Sequence, residues 1–352
     1  MPIDPWFAAN LACPIDHGAL TAADDELTCA AGHRYPIVDG VPVMLRTDVP
    51  PTIVLADASL RRARGAGVDS RAPELHLESL GISEEEKQGV LELAARPGKI
   101  DPVVAYLVAA TNGLMYKHLI GTLDGYPIPE LTLPDGNGKT FVDVGCSWGR
   151  WSVAAQRRGY QVIGIDPSLG AVMAARRVAR QLHAPNRYLV GDARHLPLRD
   201  DAVDVTYSYS VLQHLSYEDA ATAVAEMGRV LKRGGIARVQ MPTRFGVRCL
   251  YHQARRAFRA ATGFEVRYWT IGALAALFAA HIGPARFEVD GYFGIGLQRS
   301  DEPLMTPRLR RVLHASERLK ALSRRFHPLI RIADSVFVEA TRLRQGYGGQ
   351  AA

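Results

Sequence analysis

A short apolar run, Phe141-Val142-Asp143-Val144, turns at Gly145, bends through Cys146-Ser147-Trp148-Gly149 and opens into a helical pattern at Arg150-Trp151. A strand, a glycine turn and a helix in that order belong to α/β folds, where the turn presents bare backbone N–H groups to a ligand at the helix N-terminus. A second apolar strand, Val162-Ile163-Gly164-Ile165, follows and ends in Asp166. An acid at a strand end about twenty residues past such a turn is spaced to accept hydrogen bonds from ribose hydroxyls. The pair of features favours a nucleoside-holding α/β chain.

Two other readings of the turn compete. Gly145 to Gly149 also spells G-x-S-x-G, which on a strand–turn–helix would make Ser147 the nucleophile of a hydrolase elbow. The dinucleotide pattern G-x-G-x-x-G does not fit, because Ser147 takes the place of the second glycine. The rest of the chain decides. The next strand ends near Gly191-Asp192-Ala193-Arg194-His195-Leu196-Pro197, and an apolar strand leads through Ser208 to Gln213-His214. A helix is expected to end in Arg229-Val230-Leu231-Lys232-Arg233-Gly234-Gly235, with a strand over residues 236–240.

These segments, in this order and spacing, resemble the class I S-adenosylmethionine (SAM)-dependent methyltransferases, especially the UbiE-like, methyltransferase type 11 group. The shared motifs are D-x-G-C-x-x-G-R from Asp143, G-I-D-P-S from Gly164, G-D-A-x-x-L-P from Gly191 and R-V-L-K-x-G-G from Arg229. The resemblance implies an α/β fold: a Rossmann-like seven-stranded sheet with helices on both faces. It implies SAM as cofactor. Asp143 is then expected at the methionine ammonium and Gly145, Cys146 and Gly149 in the turn beside the methionine part. Asp166 would take the ribose hydroxyls with Pro167 next to it. Asp192 would accept from the adenine amino group, the N–H of Ala193 would donate to a ring nitrogen, and Ser208 would sit at the methionine end. Under this reading Ser147 is a loop residue.

Of the chain's 42 Lys and Arg and 36 Asp and Glu, sixteen basic and six acidic residues fall between 243 and 331, leaving the remainder slightly acidic. The clusters Arg255, Arg256, Arg259 and Arg308, Arg310, Arg311, Arg318 read as solvated helix faces or as contacts to an anionic partner. The longest apolar run, 271–280, is too short to span a bilayer, and the first residues lack the pattern of a signal peptide. Four cysteines in 352 residues make no disulfide framework, so a reducing cytoplasm is expected.

Residues 1–50 read as a separate module. Cys13-Pro14-Ile15-Asp16-His17 and Cys29-Ala30-Ala31-Gly32-His33 precede Tyr35-Pro36-Ile37-Val38-Asp39-Gly40-Val41-Pro42-Val43-Met44-Leu45. The module resembles the zinc-ribbon family of tRNA-methyltransferase activator subunits, with Asp16 and Gly32 standing where that family carries its second and fourth cysteines. Cys13, Cys29 and His33 with Asp16 or His17 would still make a tetrahedral zinc site. A small β module that has lost its metal is the favoured alternative.

Residues 51–137 are expected to be helical with an extended connector. Ser83 to Glu86 spells a capping box, and Asp101-Pro102 opens another helix. Tyr116 is a candidate to close over the cofactor. The cofactor core spans 138–243, substrate-cap insertions and the last two strands span 244–345, and 346–352 is expected to be a disordered tail. His214 and Tyr209 are the candidate catalytic residues, with His214 as a general base where the acceptor must lose a proton. Related quinone O-methyltransferases bind a metal at two glutamates that here are Ser210 and Gln213, so no catalytic metal is expected. The acceptor is read as a small or lipid-like molecule, methylated at O, N or C and compatible with an anion. The alternatives are an RNA methyltransferase and a non-catalytic partner-binding protein, and no protein partner is assigned.

Overall fold

The computed structural model describes residues 3–23, 25–65, 72–96, 98–111 and 117–343; Tyr116 and the tail lie outside them. The chain divides into two compact units, the first made of residues 1–199 and 296–316, the second of 200–295 and 317–352.

The first unit opens with helix α1 (Pro5–Asn10), capped by Asp4 and with proline at its first turn, where no N–H is missed. A four-stranded antiparallel sheet follows in the order β1 (Leu20–Ala23), β2 (Glu26–Cys29), β3 (Arg34–Val38) and β4 (Val41–Pro42). Asp39 and Gly40 both adopt positive φ between β3 and β4, the conformation a two-residue hairpin turn requires. Helices α2 (Val54–Ala63), α3 (Glu84–Ala94) and α4 (Pro102–Thr111) come next. The Ser83–Glu86 capping box forms reciprocally. Asp101 caps α4 by accepting from the N–H groups of Val103 and Val104.

Three parallel strands then form: β5 (Thr140–Val144), β6 (Gln161–Asp166) and β7 (Arg187–Val190), with β5 on β6 and β6 on β7. Helix α5 (Arg150–Arg157) links β5 to β6, and α6 (Leu169–Gln181) links β6 to β7. The apolar face of α6 is buried at Val172, Ala175 and Ala179, while Leu182 is partly buried beyond the helix end. This strand–helix alternation, with every residue of β5 buried, places the carboxyl ends of the three strands side by side.

The second unit contains β8 (Val203–Ser208), α7 (Tyr217–Val230), β9 (Leu231–Pro242), α8 (Val247–Arg255), α9 (Ile271–His281), β10 (Ala285–Gly291) and, after α10 (Pro307–Ser323), β11 (Ser335–Thr341). The sheet has seven strands in the order β10-β11-β9-β8-β5-β6-β7, with β10, β11 and β9 antiparallel. One boundary differs from expectation. Helix α7 stops at Val230, and Leu231 is already extended and paired with Val203. Gly234-Gly235 therefore serves a bend inside β9 and not a helix stop: Gly234 has φ +80°, and a Cβ at Gly235 would meet the Asp204 carbonyl oxygen at 2.9 Å.

Candidate active site

Asp143, Asp166 and Asp192 stand at the carboxyl ends of adjacent strands in the first unit. Asp143 is the penultimate residue of β5, Asp166 closes β6, and Asp192 follows β7 by two positions. Asp143 is almost fully buried and accepts from the Ser152 hydroxyl of α5 at 2.7 Å. Burial pushes its carboxyl up to about 7; the Ser152 hydrogen bond opposes the shift and the Asp166 charge adds to it. Asp166 is raised to about 6 by burial, against the pull of two backbone donors. Those donors are the Ser147 N–H to one oxygen and the Ser168 N–H to the other, each at 2.9 Å. Ser168 also caps α6, so Pro167 is held between the acid and the helix start.

The turn after β5 uses more of its amides internally than its sequence suggests. The N–H groups of Gly145 and Cys146 both donate to the Ile165 carbonyl, and that of Gly149 donates to the Cys146 carbonyl. With the Ser147 N–H on Asp166, these four amides bind neighbouring strands and turns and are not presented bare. Gly145 has φ +78°, a left-handed conformation that glycine takes without strain. Ser147 has φ +47°, so it occupies a left-handed position without being glycine. Gly149 has φ +82°, and a Cβ there would come within 2.7 Å of the Tyr188 hydroxyl. The Cys146 thiol is buried, which raises its pKa far above the usual range.

Asp192 carries a partner that the motif does not reveal. Arg194 donates to it through Nη2 at 2.8 Å and Nε at 3.2 Å, and through its backbone N–H at 2.8 Å. Arg194 also donates to the Pro50 carbonyl, and the Thr52 hydroxyl reaches Asp192 at 3.4 Å. Ala193 lies between the paired residues and is half-buried. Arg150, the first residue of α5, makes a buried ion pair with Asp301 at 3.0 Å. Arg194 stood at a variable motif position, and Arg150 and Asp301 are 151 residues apart, so only a search for complementary charges near the motifs would have flagged them.

Ser208, Tyr209 and His214 belong to the second unit. Ser208 closes β8 and is fully buried. Tyr209 donates its hydroxyl to Asp290 at 3.1 Å, and Ser335 donates to the same carboxylate oxygen at 2.8 Å. His214 stacks on Phe264 with ring centroids 3.9 Å apart. Its Nδ1–H donates to the Phe264 carbonyl at 2.7 Å, which leaves the Nε2 lone pair facing the Gln213 amide at 3.2 Å. Burial lowers its pKa; the Phe264 carbonyl opposes the shift and Arg267 reinforces it. The anchored neutral imidazole keeps a basic nitrogen at Nε2, whose lone pair accepts from the Gln213 amide and would have to leave it to take a proton.

In the N-terminal module, Cys13, Asp16, Cys29 and His33 come together with one donor atom each inside a 4.8 Å span. His17, the alternative fourth ligand, is exposed and is not part of this group.

Residues 142–239 match the family model described as "Methyltransferase domain". A malonyl-[acyl-carrier protein] O-methyltransferase from Serratia marcescens is 37% identical over 99 residues, covering 28% of this chain and 36% of the relative. An uncharacterised 37.1 kDa protein in a Streptomyces fradiae transposon is 40% identical over 164 residues, covering 44% of each chain. The crystal structure of a SAM-dependent methyltransferase from Thermotoga maritima aligns with TM-score 0.40 at 19% identity, over 60% of this chain and 83% of that one. The chain spans little more than a third of the length of the malonyl-carrier relatives it matches. No helix among the described residues is long and apolar enough to cross a membrane. The matched segment, 142–239, is the one that carries the three strand-end acids.

Proposed function

We propose that the chain is a cytoplasmic SAM-dependent methyltransferase that acts on a small or lipid-like, anionic acceptor. The observation that carries this reading is the row of Asp143, Asp166 and Asp192 along the ends of β5, β6 and β7, next to a left-handed Gly145. The donor set fits SAM: a buried acid for the ammonium, a backbone-held acid for the ribose diol, and a third acid for the adenine amino group. Asp166 is pre-oriented by the Ser147 and Ser168 amides, so its outer lone pairs are aimed without further ordering.

SAM supplies a methyl group made electrophilic by its sulfonium. The chain's own part is alignment and exclusion of water. For an acceptor that must lose a proton, His214 is the base: the Gln213 amide gives up the Nε2 lone pair while Nδ1–H stays on the Phe264 carbonyl. The Tyr209 hydroxyl, oriented by Asp290, is the second candidate catalytic group.

The acceptor class rests on the second unit. Phe245, Val247, Leu250 and Tyr251 are exposed on or beside α8, with Arg248 and Arg255 on the same helix and both guanidiniums near the Tyr251 ring. An outward face that mixes aromatic and cationic groups suits an amphipathic anion. The malonyl-carrier relatives are named for an acylated, carboxylate-bearing acceptor, which is of the same charge class.

The test is transfer of labelled methyl from SAM into metabolite, lipid and RNA fractions of a host extract, alongside direct calorimetry of SAM binding. Label in an acidic metabolite or lipid fraction is expected, with Asp166→Ala abolishing both binding and transfer. Label confined to RNA would overturn the acceptor class, and unchanged transfer by Asp166→Ala would overturn the cofactor assignment.

A further inference from the structure

We propose that Cys13, Asp16, Cys29 and His33 form a closed, structural binding site for one zinc-class divalent ion, and that this ion orders the strap joining the N-terminal module to β7. Two tight turns build the site. The first runs from Cys13 to Gly18: the His17 N–H donates to the Cys13 carbonyl and the Cys13 N–H to the Gly18 carbonyl. The second runs from Cys29 to His33: the Gly32 N–H donates to the Cys29 carbonyl and the Cys29 N–H to the His33 carbonyl. Gly32 has φ +86°, which folds His33 back over Cys29.

Four of the six donor–donor distances are close to the edges of a zinc tetrahedron, and all six lie within 4.8 Å. Cys13 Sγ lies 3.4 Å and Cys29 Sγ 3.2 Å from His33 Nδ1. Asp16 Oδ2 lies 3.5 Å from Cys29 Sγ and 3.3 Å from His33 Nδ1. Zinc bonds to S, N and O of about 2.0–2.3 Å correspond to edges of roughly 3.3–3.8 Å. Two sulfurs, an imidazole and a carboxylate are a borderline-soft set that favours zinc over magnesium or calcium. Both sulfurs are buried, while Asp16 and His33 are about one-third exposed and close the outer side. The Tyr35 hydroxyl lies 3.1 Å from Cys13 Sγ and is placed to donate to a thiolate, the outer contact that holds a ligand in orientation. Four protein ligands leave no open position, so the role is structural and not catalytic.

The strap gives the site its consequence. Beyond β4, Val43 bridges to Val190 and the Met44 N–H donates to the Val190 carbonyl at 2.7 Å. The same strap supplies Pro50 and Thr52 to the Arg194–Asp192 pair. A module anchored by metal therefore braces the residue assigned above to the adenine amino group; this second half of the inference rests on that reading.

The full chain, purified with zinc in the growth medium, is expected to hold about one zinc per chain by elemental analysis. Cobalt replacement is expected to give the visible bands of tetrahedral cobalt–thiolate. Asp16→Asn and His33→Gln, at partly exposed positions, are expected to fold, to lower metal affinity at least tenfold and to shift the cobalt spectrum. A chelator is expected to expose the strap to proteolysis. A folded chain that takes up neither zinc nor cobalt, or that binds them equally after both substitutions, overturns the site. Full metal occupancy with strap proteolysis unchanged by the chelator overturns the bracing role alone. Loss of SAM binding in metal-replete protein would instead count against the cofactor reading.

Discussion

Arg194 and Asp192, two residues apart, close a buried ion pair at 2.8 Å in which one guanidinium reaches both oxygens of the acid beyond β7. The backbone N–H of Arg194 donates to the same carboxylate at 2.8 Å and closes the turn.

Removing only the cation leaves a buried carboxylate without its charge partner. Arg194→Met is expected to cost about 3–5 kcal/mol in thermal or urea melts. The double variant Asp192→Asn, Arg194→Met is expected to recover most of that loss, because no buried charge remains. If the double variant is as unstable as the single one, packing of the arginine stem and not charge is what matters.

Arg150 and Asp301 obey the same logic with greater burial. Arg150→Met is expected to destabilise the chain by a similar 3–5 kcal/mol or so. Asp301→Asn, which keeps a hydrogen-bond acceptor for the guanidinium, should lose less. Equal losses in the two variants would point to the shape of the site and away from its charge.

The turn after β5 offers a test of backbone geometry. Gly149→Ala must hold φ +82° and push a methyl group to 2.7 Å from the Tyr188 hydroxyl and 3.2 Å from Ala175 Cβ. A loss of about 2–3 kcal/mol is expected in a urea melt. Ser147→Gly relaxes a left-handed serine and should change stability by less than about 1 kcal/mol while SAM binding persists. Fluorophosphonate labelling of the chain that disappears in Ser147→Ala would revive the hydrolase reading of this serine.

How much of this was legible in sequence follows from contact range. The β5 turn, Asp166 at the end of β6 and the Ser83 capping box depend on neighbours within one or two elements, so residue type and spacing reveal them. The destination of the turn amides was not legible, because the Ile165 carbonyl that takes two of them comes from the next strand. The Arg194 grip, the Arg150–Asp301 pair and the stacking of His214 on Phe264 need three-dimensional closure. Gly234-Gly235 read as a helix stop because glycines there usually are; strand pairing of Leu231 overrode that local preference. In the N-terminal module the candidate set Cys13, Cys29, His33 and Asp16 was legible by residue type, while the choice of Asp16 over His17 and the turn at Gly32 that brings His33 beside Cys29 needed the fold.

The proposed acceptor role of the exposed α8 face can be tested apart from cofactor binding. Phe245→Ala with Arg248→Ala removes exposed groups and should leave stability within about 0.5 kcal/mol. Methyl transfer is expected to fall at least tenfold at low acceptor concentration while SAM affinity stays unchanged. A collapse in SAM affinity would show that this face supports the cofactor and not the acceptor.

The two perturbed acids make a pH prediction whose sign is fixed. Asp143 rises to about 7 and Asp166 to about 6, both from an ordinary value of 3.8. A carboxyl raised on folding contributes stability fully below its unfolded pKa and loses that contribution as pH rises through the folded value. Ligand-free protein should therefore lose stability between about pH 4 and pH 7, by a few kcal/mol in order of magnitude. Asp143→Asn should flatten the upper half of that fall. A SAM ammonium beside Asp143 favours the ionised acid, so binding releases a proton and affinity should rise several-fold from about pH 6 to pH 7. Near pH 7.7 an α-amino group begins to lose its own charge, which sets the upper limit of the rise. Calorimetry in buffers of different ionisation enthalpy measures the proton release directly. A flat affinity profile with no proton released would remove Asp143 from the ammonium contact, even if the stability profile of the ligand-free protein falls as expected.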